Sequence, residues 1–459
     1  MATGHYVIGL DVGTTTVRSY VYDRDGQVVG SGDTVVDIVS PQQGWVEIDP
    51  DILWDKVVMV IQQSITTAGI TAGQVSSLGI SCQRATFTCW HKKTGEYFHN
   101  FITWKDMRAD NYVREWNNSF TLKGLRMGGK LLHWLTRMPR YKAAGILKLN
   151  NGMVVMRLLW ALENIPELKK AVSDGDAMFG CVDTWLLYKL TGNHKTEVSN
   201  IAATGLFDPF TMQYAGWAFS LFSLPLSIMP EVVDSCGEHF GAVKSDILGH
   251  SVPVRAVLAD QSASAFGSSC YSPGSAKITL GTGSFLDVIT SKPHASMEGL
   301  VPLVGWRIED ATTYLAEGCV HDTGVMVSWA KTVGLFDNID DISDIVSALP
   351  SSNGLYFVPG FHGLQVPVQD SSATAGFLGL RLNTTKEEML RAVLESIAYS
   401  LTKLVSVFIS ETGDTLAQVV VDGGVSRNNF IVQMIADLTG DIVIFLYQTL
   451  FVIYQVLPS

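Results

Sequence analysis

The sequence predicts an α/β fold made of two related lobes, and three observations lead to that prediction. Short apolar strands alternate with amphipathic helices along the chain, which is the pattern of layered α/β domains. An apolar strand, a small polar turn and a second strand occur in that order near the start and again after residue 275. Such a recurrence indicates an internal repeat. The length of 459 residues leaves room for two to four domains of about 100–200 residues each.

The first lobe opens on a predicted hairpin. Residues 6–10 are predicted as an apolar strand, residues 11–16 as a polar turn, and residues 17–22 as a second strand of alternating polarity. Alternation with a period of two is typical of a half-buried strand. A further strand is predicted over residues 75–81.

The helices are predicted from their apolar periodicity and from the residues at their ends. Pro50 and Gly69 bound a helix over residues 50–69, because helices favour Pro near the start and Gly at the end. A second helix starts at Val154 and ends before Pro166. Two more segments follow the same logic, a strand and helix over residues 179–192 and a long helix over residues 385–412.

One helical stretch is strongly basic. Residues 123–148 carry seven Lys and Arg residues and no acidic residue. The simplest interpretation is a solvated helical face, and the alternative is a surface for a partner or for an anionic membrane.

The second hairpin repeats the order of the first. Residues 276–280 are predicted as an apolar strand, residues 281–284 as a small polar turn, and residues 285–290 as the returning strand. Residues 417–422 are predicted as a buried strand that runs into a Gly-Gly turn and the start of a helix.

The composition excludes several classes of protein. A content of 47% hydrophobic and 17% charged residues excludes a disordered chain. The net charge of -12 argues against sequence-independent nucleic-acid binding, which needs a basic surface. The six cysteines are scattered without a CxxC pair, so neither a zinc ribbon nor a disulfide scaffold is indicated. No basic segment precedes a long apolar one near the start, and we expect a cytoplasmic protein with reduced thiols.

The last residues are apolar and uncharged. The segment 442–457 has 16 residues, whereas a membrane-spanning helix needs about 20. We expect an aggregation-prone segment rather than an integral membrane anchor.

Three Gly-rich turns suggest a phosphate site. They occur at residues 11–15, 281–283 and 422–424, each after a run of β-branched residues. Gly permits close approach of the backbone, and Thr hydroxyls with consecutive N–H groups form a nest for anions. One such turn is weak evidence, but three in this order are a strong signal.

These turns carry a resemblance to a known family. Asp11–Arg18, Gly281–Gly283 and Asp422–Gly424 resemble the phosphate-1, phosphate-2 and adenosine motifs of the actin-like (ribonuclease H-like) ATPases. Residues 375–395 resemble the carboxy-terminal signature of the FGGY carbohydrate kinases. Further segments are similar to the glycerol kinases within that family, namely residues 79–84, Trp104, residues 179–192 and residues 258–267.

The resemblance implies two actin-like ATPase domains with a nucleotide cleft between them. Residues 1–262 would form the N-terminal domain with the polyol site, and residues 263–459 the C-terminal domain, incomplete at its end, with the phosphate-2 and adenosine motifs. The implied activity is that of an ATP-dependent polyol kinase, which uses ATP and Mg²⁺ to convert glycerol to sn-glycerol 3-phosphate. Two alternatives stay open, a kinase for another polyol or sugar and a nucleotide-binding regulatory protein with little activity. The implied partner is a small polyol, and a homo-oligomer is an open alternative.

The resemblance also implies the residues of the site. Asp260 matches the catalytic base, which takes the substrate hydroxyl proton as the γ-phosphoryl group arrives. Asp11 matches the residue that holds the Mg²⁺ shell, since Mg²⁺ keeps its waters and needs few carboxylates. The polyol pocket matches Arg84, Trp104, Asp260, Gln261 and Phe285. The nucleotide contacts match Thr14, Thr15, Arg18, Gly281, Thr282, Gly324, Gly424 and Asn428.

Four positions depart from the glycerol kinase pattern. Ala85 stands where these enzymes have a Glu, and Gly152 where they have a pocket Tyr. Arg157 replaces a Lys, and Ser328 stands where the family often has Gln. Hydrogen bonds to charged groups contribute about 1.5–3 kcal/mol each, so the loss of the Glu predicts weak glycerol affinity.

Overall fold

The described part of the chain forms two compact units. The computed structural model describes residues 5–370 and 372–440, together with the backbone of residues 443–445. Unit 1 contains residues 5–267 and 303–313 of this part, and unit 2 contains the remainder. Both units alternate strands with helices, which confirms the α/β class. The predicted domain boundary after residue 262 stays a prediction.

Residues 5–267, the main part of unit 1, contain thirteen strands and eleven α-helices. The strands are β1 (Tyr6–Val12), β2 (Thr16–Tyr22), β3 (Val28–Val35), β4 (Glu47–Ile48), β5 (Val75–Cys82), β6 (Phe87–His91), β7 (Phe101–Ile102), β8 (Ala177–Cys181), β9 (Lys195–Glu197), β10 (Phe207–Asp208), β11 (Gln213–Tyr214), β12 (Glu231–Val233) and β13 (Val254–Ala259). The helices are α1 (Pro50–Thr67), α2 (Asp110–Asn118), α3 (Phe120–Thr136), α4 (Pro139–Ile146), α5 (Val154–Asn164), α6 (Pro166–Ser173), α7 (Val182–Thr191), α8 (Val198–Ala202), α9 (Gly216–Phe222), α10 (Ser245–Leu248) and α11 (Asp260–Gly267).

The central sheet of unit 1 has five strands in the order β13-β5-β1-β2-β3. β1, β2 and β3 pair antiparallel, whereas β5 and β13 run parallel to β1. β1 and β5 are apolar and buried, and α1 and α7 contribute to the same core. Since the three parallel strands end at the same edge of the sheet, the residues at and after their ends, including Asp11 and Asp260, are gathered there.

The remaining elements belong mainly to unit 2. The remaining strands are β14 (Ser275–Leu280), β15 (Ser284–Thr290), β16 (Val301–Ile308), β17 (Ala311–Val320), β18 (Tyr356–Val358), β19 (Gly376–Leu378), β20 (Gln418–Asp422) and β21 (Val443–Phe445). Residues 303–308 of β16 and 311–313 of β17 belong to unit 1. The remaining helices are α12 (Gly324–Thr332), α13 (Ile342–Ser347), α14 (Lys386–Thr412) and α15 (Asn429–Thr439).

The sheet that contains β14 repeats the topology of the first. It has six strands in the order β16-β17-β15-β14-β20-β21. β17, β15 and β14 pair antiparallel, and β20 lies parallel to β14, as β5 lies parallel to β1. The internal repeat predicted from the two hairpins is therefore present as a repeated sheet.

The helix α14 ends where the sequence predicts. Thr385 and Glu388 form a reciprocal capping box at its start, and Gly413 ends it with a φ of 73°. It is also the one described helix that is long and apolar enough to cross a membrane. However, 67% of its most apolar window is buried inside the protein, which is the position of a core helix.

The apolar segment 442–457 lies outside the described residues except at β21, whose backbone pairs parallel with β20. Its predicted aggregation tendency stays a prediction.

Candidate active site

The first Gly-rich turn brings a carboxylate and a guanidinium group together. Asp11 is the last residue but one of β1 and faces Arg18 across the β1–β2 pair, with 3.9 Å between Arg18 Nη1 and Asp11 Oδ2. Ser81, on the neighbouring β5, donates its hydroxyl to Asp11 Oδ1 over 3.2 Å. Thr15 lies exposed at the tip of the turn, and its carbonyl accepts from the Val36 N–H over 2.9 Å. Thr15 is therefore accessible to solvent at the predicted phosphate loop.

The electrostatics around Asp11 favour a cation. Burial, and then the negative charge of Asp260, raise the pKa of Asp11 to about 6, although Arg18 and Ser81 lower it. About a third of the Asp11 side chain is nevertheless exposed. Two carboxylates that disfavour each other's charge at a partly open position are stabilised by a divalent cation. Asp11 therefore fits a site for Mg²⁺.

A buried glutamine that the sequence analysis did not select connects the turn to Trp104. Gln83 Nε2 donates to the Gly13 carbonyl over 3.1 Å, and Gln83 Oε1 accepts from the Thr14 hydroxyl over 3.3 Å. The Trp104 indole N–H donates in turn to Thr14 Oγ1 over 2.9 Å. One network therefore joins a predicted nucleotide residue, Thr14, to a predicted substrate residue, Trp104. A polar residue directly after the apolar β5 was the available signal.

The predicted base lies beside a predicted substrate arginine. Asp260 follows β13 directly and begins α11, and 3.7 Å separate its Oδ1 from Arg84 Nε. The same oxygen accepts from the Gln261 N–H over 2.8 Å. Ala85 follows Arg84 in a left-handed conformation, with a φ of 56°, and is buried. The departure from the glycerol kinase pattern therefore lies in a constrained turn at the predicted pocket.

A second buried network supports the backbone at Asp260, and sequence reasoning missed it. Ser199 Oγ accepts from the N–H of Ala259, the residue before Asp260, over 3.0 Å. Ser199 itself donates to the buried Glu197 carboxylate over 2.5 Å. Glu197 also accepts from the Ser199 and Asn200 N–H groups, so it caps α8. Burial raises the pKa of Glu197 to about 7. This network holds the backbone at the end of β13 in place. In the sequence, Glu197 and Ser199 look like ordinary polar residues, so nothing there indicates the network.

Arg157 supports the segment that leads to Trp104. The guanidinium is fully buried and donates to the carbonyls of Ile102, Thr103 and Gly152. Burial lowers its pKa to about 10, which leaves it protonated. Arg157 and Gly152, two of the four positions that depart from the family pattern, are therefore hydrogen-bonded to each other.

In unit 2 the second Gly-rich turn packs against the start of α12. The Gly324 N–H donates to the Gly281 carbonyl over 3.0 Å. A Cβ on Gly324 would lie 2.7 Å from that carbonyl oxygen, so the close approach requires glycine. Thr282 is exposed at the tip of the turn, as Thr15 is in unit 1. Phe285 lies on β15 opposite Thr279 and is the one predicted substrate residue in unit 2.

The third turn lies beside the second. Gly423 has a φ of 95°, and a Cβ there would lie 2.5 Å from the Leu280 carbonyl oxygen. Gly424 is exposed, whereas Asn428 is buried and caps α15 by accepting from the Ile431 N–H over 3.2 Å. An ion pair between the buried Lys277 and the partly exposed Asp422, with 2.8 Å between Nζ and Oδ1, joins β14 to the neighbouring β20 at this point. Sequence reasoning did not select Lys277.

The arrangement can bind phosphates and deprotonate an alcohol. Unit 1 groups Asp11, Thr14, Arg18 and Trp104 around one turn, and Arg84, Asp260 and Gln261 at the end of β13. Unit 2 groups Gly281, Thr282 and Gly324, with Gly424 on the neighbouring strand end. No cluster of three or more His, Cys, Asp or Glu in the described chain is placed to hold a metal ion.

Comparisons with known proteins identify the same family of kinases that the sequence motifs resemble. Residues 6–267 match the N-terminal domain of the FGGY family of carbohydrate kinases, and residues 276–449 match its C-terminal domain. The chain is 46% identical to glycerol kinase 5 of Danio rerio over 95% of its own length and 83% of that protein's. It is 34% identical to glycerol kinase of Haloarcula marismortui over 94% of its length and 84% of that protein's. The crystal structure of Plasmodium falciparum glycerol kinase with ADP superposes with a TM-score of 0.87 at 27% identity, over 98% of this chain and 88% of that one.

Proposed function

The chain belongs to the FGGY family of carbohydrate kinases, and from that premise we propose that it is an ATP-dependent polyol kinase that phosphorylates glycerol. The relatives named glycerol kinase and the neighbouring structure with ADP support this function. Within the protein, the observation that carries it is the placement of Asp260 beside Arg84 at the end of β13.

Asp260 acts as the general base in this proposal. Its carboxylate accepts the proton of the substrate hydroxyl as the oxygen attacks the γ-phosphorus of ATP. The new oxygen–phosphorus bond forms while the bond from the γ-phosphorus to the β–γ bridging oxygen breaks, and that oxygen leaves on ADP. The hydrogen bond from the Gln261 N–H to Asp260 Oδ1 orients the carboxylate. The guanidinium of Arg84, whose Nε lies 3.7 Å from Asp260 Oδ1, offers N–H donors to a polyol hydroxyl.

The two Thr-bearing turns serve the phosphates. Thr15 and Thr282 present exposed side chains at the turn tips, where hydroxyl and backbone N–H groups suit phosphate oxygens. Arg18, held near Asp11, adds a positive charge. Thr14 binds Trp104, so the phosphate loop and the wall of the polyol pocket keep a fixed relation.

We further propose that Asp11 holds Mg²⁺. When bound, this ion neutralises developing charge on the phosphate oxygens. Burial is the main cause of the raised pKa of Asp11, and the negative charge of Asp260 adds to it. A divalent cation at this position would favour the ionised form of both carboxylates. One carboxylate is enough, since Mg²⁺ keeps most of its waters.

A second candidate substrate is a polyol or sugar other than glycerol. The observation that favours it is Ala85, buried beside Arg84, in place of a hydrogen-bonding Glu. On this alternative, a larger substrate or a water would take the position of the missing carboxylate.

A coupled assay of ADP release distinguishes these functions. We expect ADP release from ATP and Mg²⁺ that depends on glycerol or on another polyol in a panel of polyols and sugars. If no compound in the panel stimulates ADP release although ATP still binds, the protein is a nucleotide-binding regulator instead.

A further inference from the structure

The helix α3 exposes large apolar side chains along one face. Phe120 is 93% exposed, Met127 72% and Trp134 63%, and Leu131 and Leu135 are exposed as well. Spacings of three, four and seven residues place all five on the same side of an α-helix. We call these five residues the α3 stripe. The exposed side of α3 is thus not the charged face that the simplest interpretation of the sequence predicts.

The opposite side of α3 is firmly packed. Leu122 and Gly129 are buried, and a Cβ on Gly129 would lie 2.6 Å from the Gly145 nitrogen of α4. Arg126 donates from Nε to the Leu147 carbonyl over 2.7 Å. The inner side therefore fixes the rotation of the helix, and the α3 stripe faces outward because of that packing.

The charged side chains of α3 are all cationic. Lys123 and Lys130 are exposed on α3 along one margin of the stripe, and Lys123 Nζ lies 5.7 Å from the Phe120 ring centroid. No Asp or Glu occurs between Glu115 and Glu163, in a chain whose net charge is -12. Arg140 of α4 is paired with Asp208, so its charge is already compensated within the protein. The cations are therefore concentrated beside exposed hydrocarbon.

We propose that the α3 stripe, with Lys123 and Lys130, is a docking surface for the face of an anionic phospholipid bilayer. Such a surface offers negative headgroups directly above hydrocarbon, so it complements both the cations and the apolar side chains. Helices with Trp, Phe and Leu on one face and Lys beside them lie in this interface. The aromatic rings of Trp134 and Phe120 suit the headgroup level. The attachment is peripheral, because α3 has 17 residues and its other side is packed against α4.

An acidic protein partner complements the cations alone. It leaves five exposed apolar side chains facing polar surface, so the lipid surface accounts for more of what is observed. A second copy of the chain would bring the same cations together, which is unfavourable.

Flotation with vesicles tests the proposal. The full-length protein is mixed with vesicles of phosphatidylcholine alone, or of phosphatidylcholine with phosphatidylserine, at low and at physiological salt. We expect flotation with the anionic vesicles only, weaker at the higher salt. Leu131→Ser with Trp134→Ser, and separately Lys123→Glu with Lys130→Glu, should each lower the bound fraction at least about tenfold.

Two control pairs are matched to these variants. Leu380→Ser with Leu382→Ser removes exposed apolar side chains elsewhere, and Lys386→Glu with Lys403→Glu reverses exposed charges elsewhere. Both should bind vesicles as the parent does, and all four pairs should keep the parent's thermal midpoint and its ADP release without vesicles. Equal binding by stripe and control variants, or no binding of the parent to anionic vesicles, overturns the proposal. So does a parent dimer that Leu131→Ser with Trp134→Ser dissociates without any vesicle binding, which would make the stripe a contact between copies.

Discussion

At the scale of single residues, the proposed chemistry depends on Asp260, whose carboxylate is held by the Gln261 N–H and lies beside Arg84. We expect Asp260→Asn to abolish phosphoryl transfer while ATP binding persists. Asn is nearly isosteric but cannot accept the proton, and general-base losses are about 10²–10⁴-fold. Substrate-dependent ADP release and nucleotide titration measure the two properties separately. Equal turnover in variant and parent would show that Asp260 is only the first residue of α11.

Asp11 is expected to affect the metal dependence. We predict that Asp11→Ala weakens both Mg²⁺-ATP binding and turnover, because the proposed metal site loses its carboxylate. Activity measured against Mg²⁺ concentration should shift to higher concentrations. Ser81→Ala is a suitable control, since it removes one hydrogen bond to Asp11 and keeps the carboxylate. An unchanged Mg²⁺ dependence in Asp11→Ala would leave Asp11 with only a structural role in the turn.

Ala85 is expected to limit glycerol affinity. We predict that Ala85→Glu lowers the glycerol KM, by up to about tenfold for each 1.4 kcal/mol recovered. The left-handed backbone, with its φ of 56°, already accommodates a Cβ, so Glu adds no new backbone strain there. Ala85→Gln supplies a similar volume without the charge and should recover less. A KM that rises or stays constant would indicate a pocket shaped for another molecule.

At the scale of elements, the end of β13 is positioned by α8 through Ser199 and Glu197. We predict that Ser199→Ala lowers kcat several-fold with little change in the KM for ATP. It removes the acceptor of the Ala259 N–H, and the orphaned donor costs about 1–3 kcal/mol. Thr196→Ala is the matched control, because its buried hydroxyl donates to Asp183 instead. Similar losses of stability with a kcat loss only in Ser199→Ala identify Ser199 as a positioning residue. Equal kcat in both would reduce it to a packing role.

Most elements could be predicted from the sequence because their signals are local. The hairpin at Asp11, the strand before Gly423 and the helix between Thr385 and Gly413 each combine apolar periodicity with a terminal residue of defined conformation. The networks of Gln83 and Glu197 could not be predicted. They join residues far apart in the sequence, and an isolated Gln or Glu looks the same whether it is solvated or buried.

The outward face of α3 was missed for a related reason. Helical periodicity shows that one side is apolar, but it does not show which side packs inward. The glycine pair Gly129 and Gly145 decides this, since it lets α4 approach the less bulky side.

At the scale of the whole molecule, buried ionisable groups set the pH dependence of stability. Burial raises the pKa of Glu197 to about 7 and that of Asp183 to about 6. In the folded state these groups hold protons that the unfolded chain has released, so stability rises as the pH falls through those values. From about pH 8 to about 6.5, Glu197 alone should add roughly 0.5–1 kcal/mol to the free energy of unfolding.

Below about pH 6.5, a buried histidine opposes this gain in the free energy of unfolding. Burial lowers the pKa of His99 to about 4, so the unfolded chain takes up a proton there first and is favoured as the pH falls further. We therefore expect the urea midpoint to be highest at slightly acidic pH. Glu197→Gln should flatten the rise between about pH 8 and 6.5, measured by urea unfolding. A parent midpoint that falls steadily from pH 8 would contradict this.

The repeated sheet has an evolutionary consequence. When Gly13 is aligned with Gly281, Thr14 coincides with Thr282, whereas Asp11 and Arg18 coincide with Thr279 and Leu286. A duplicated ancestor would start with identical turns, so the copies have since diverged in charge. On our proposal, the first copy has ionisable side chains for the metal and the polyphosphate, and the second offers neutral hydroxyl and amide groups. This is subfunctionalisation within one polypeptide, and it predicts that exchanging the two turns yields an inactive kinase even if both halves still fold.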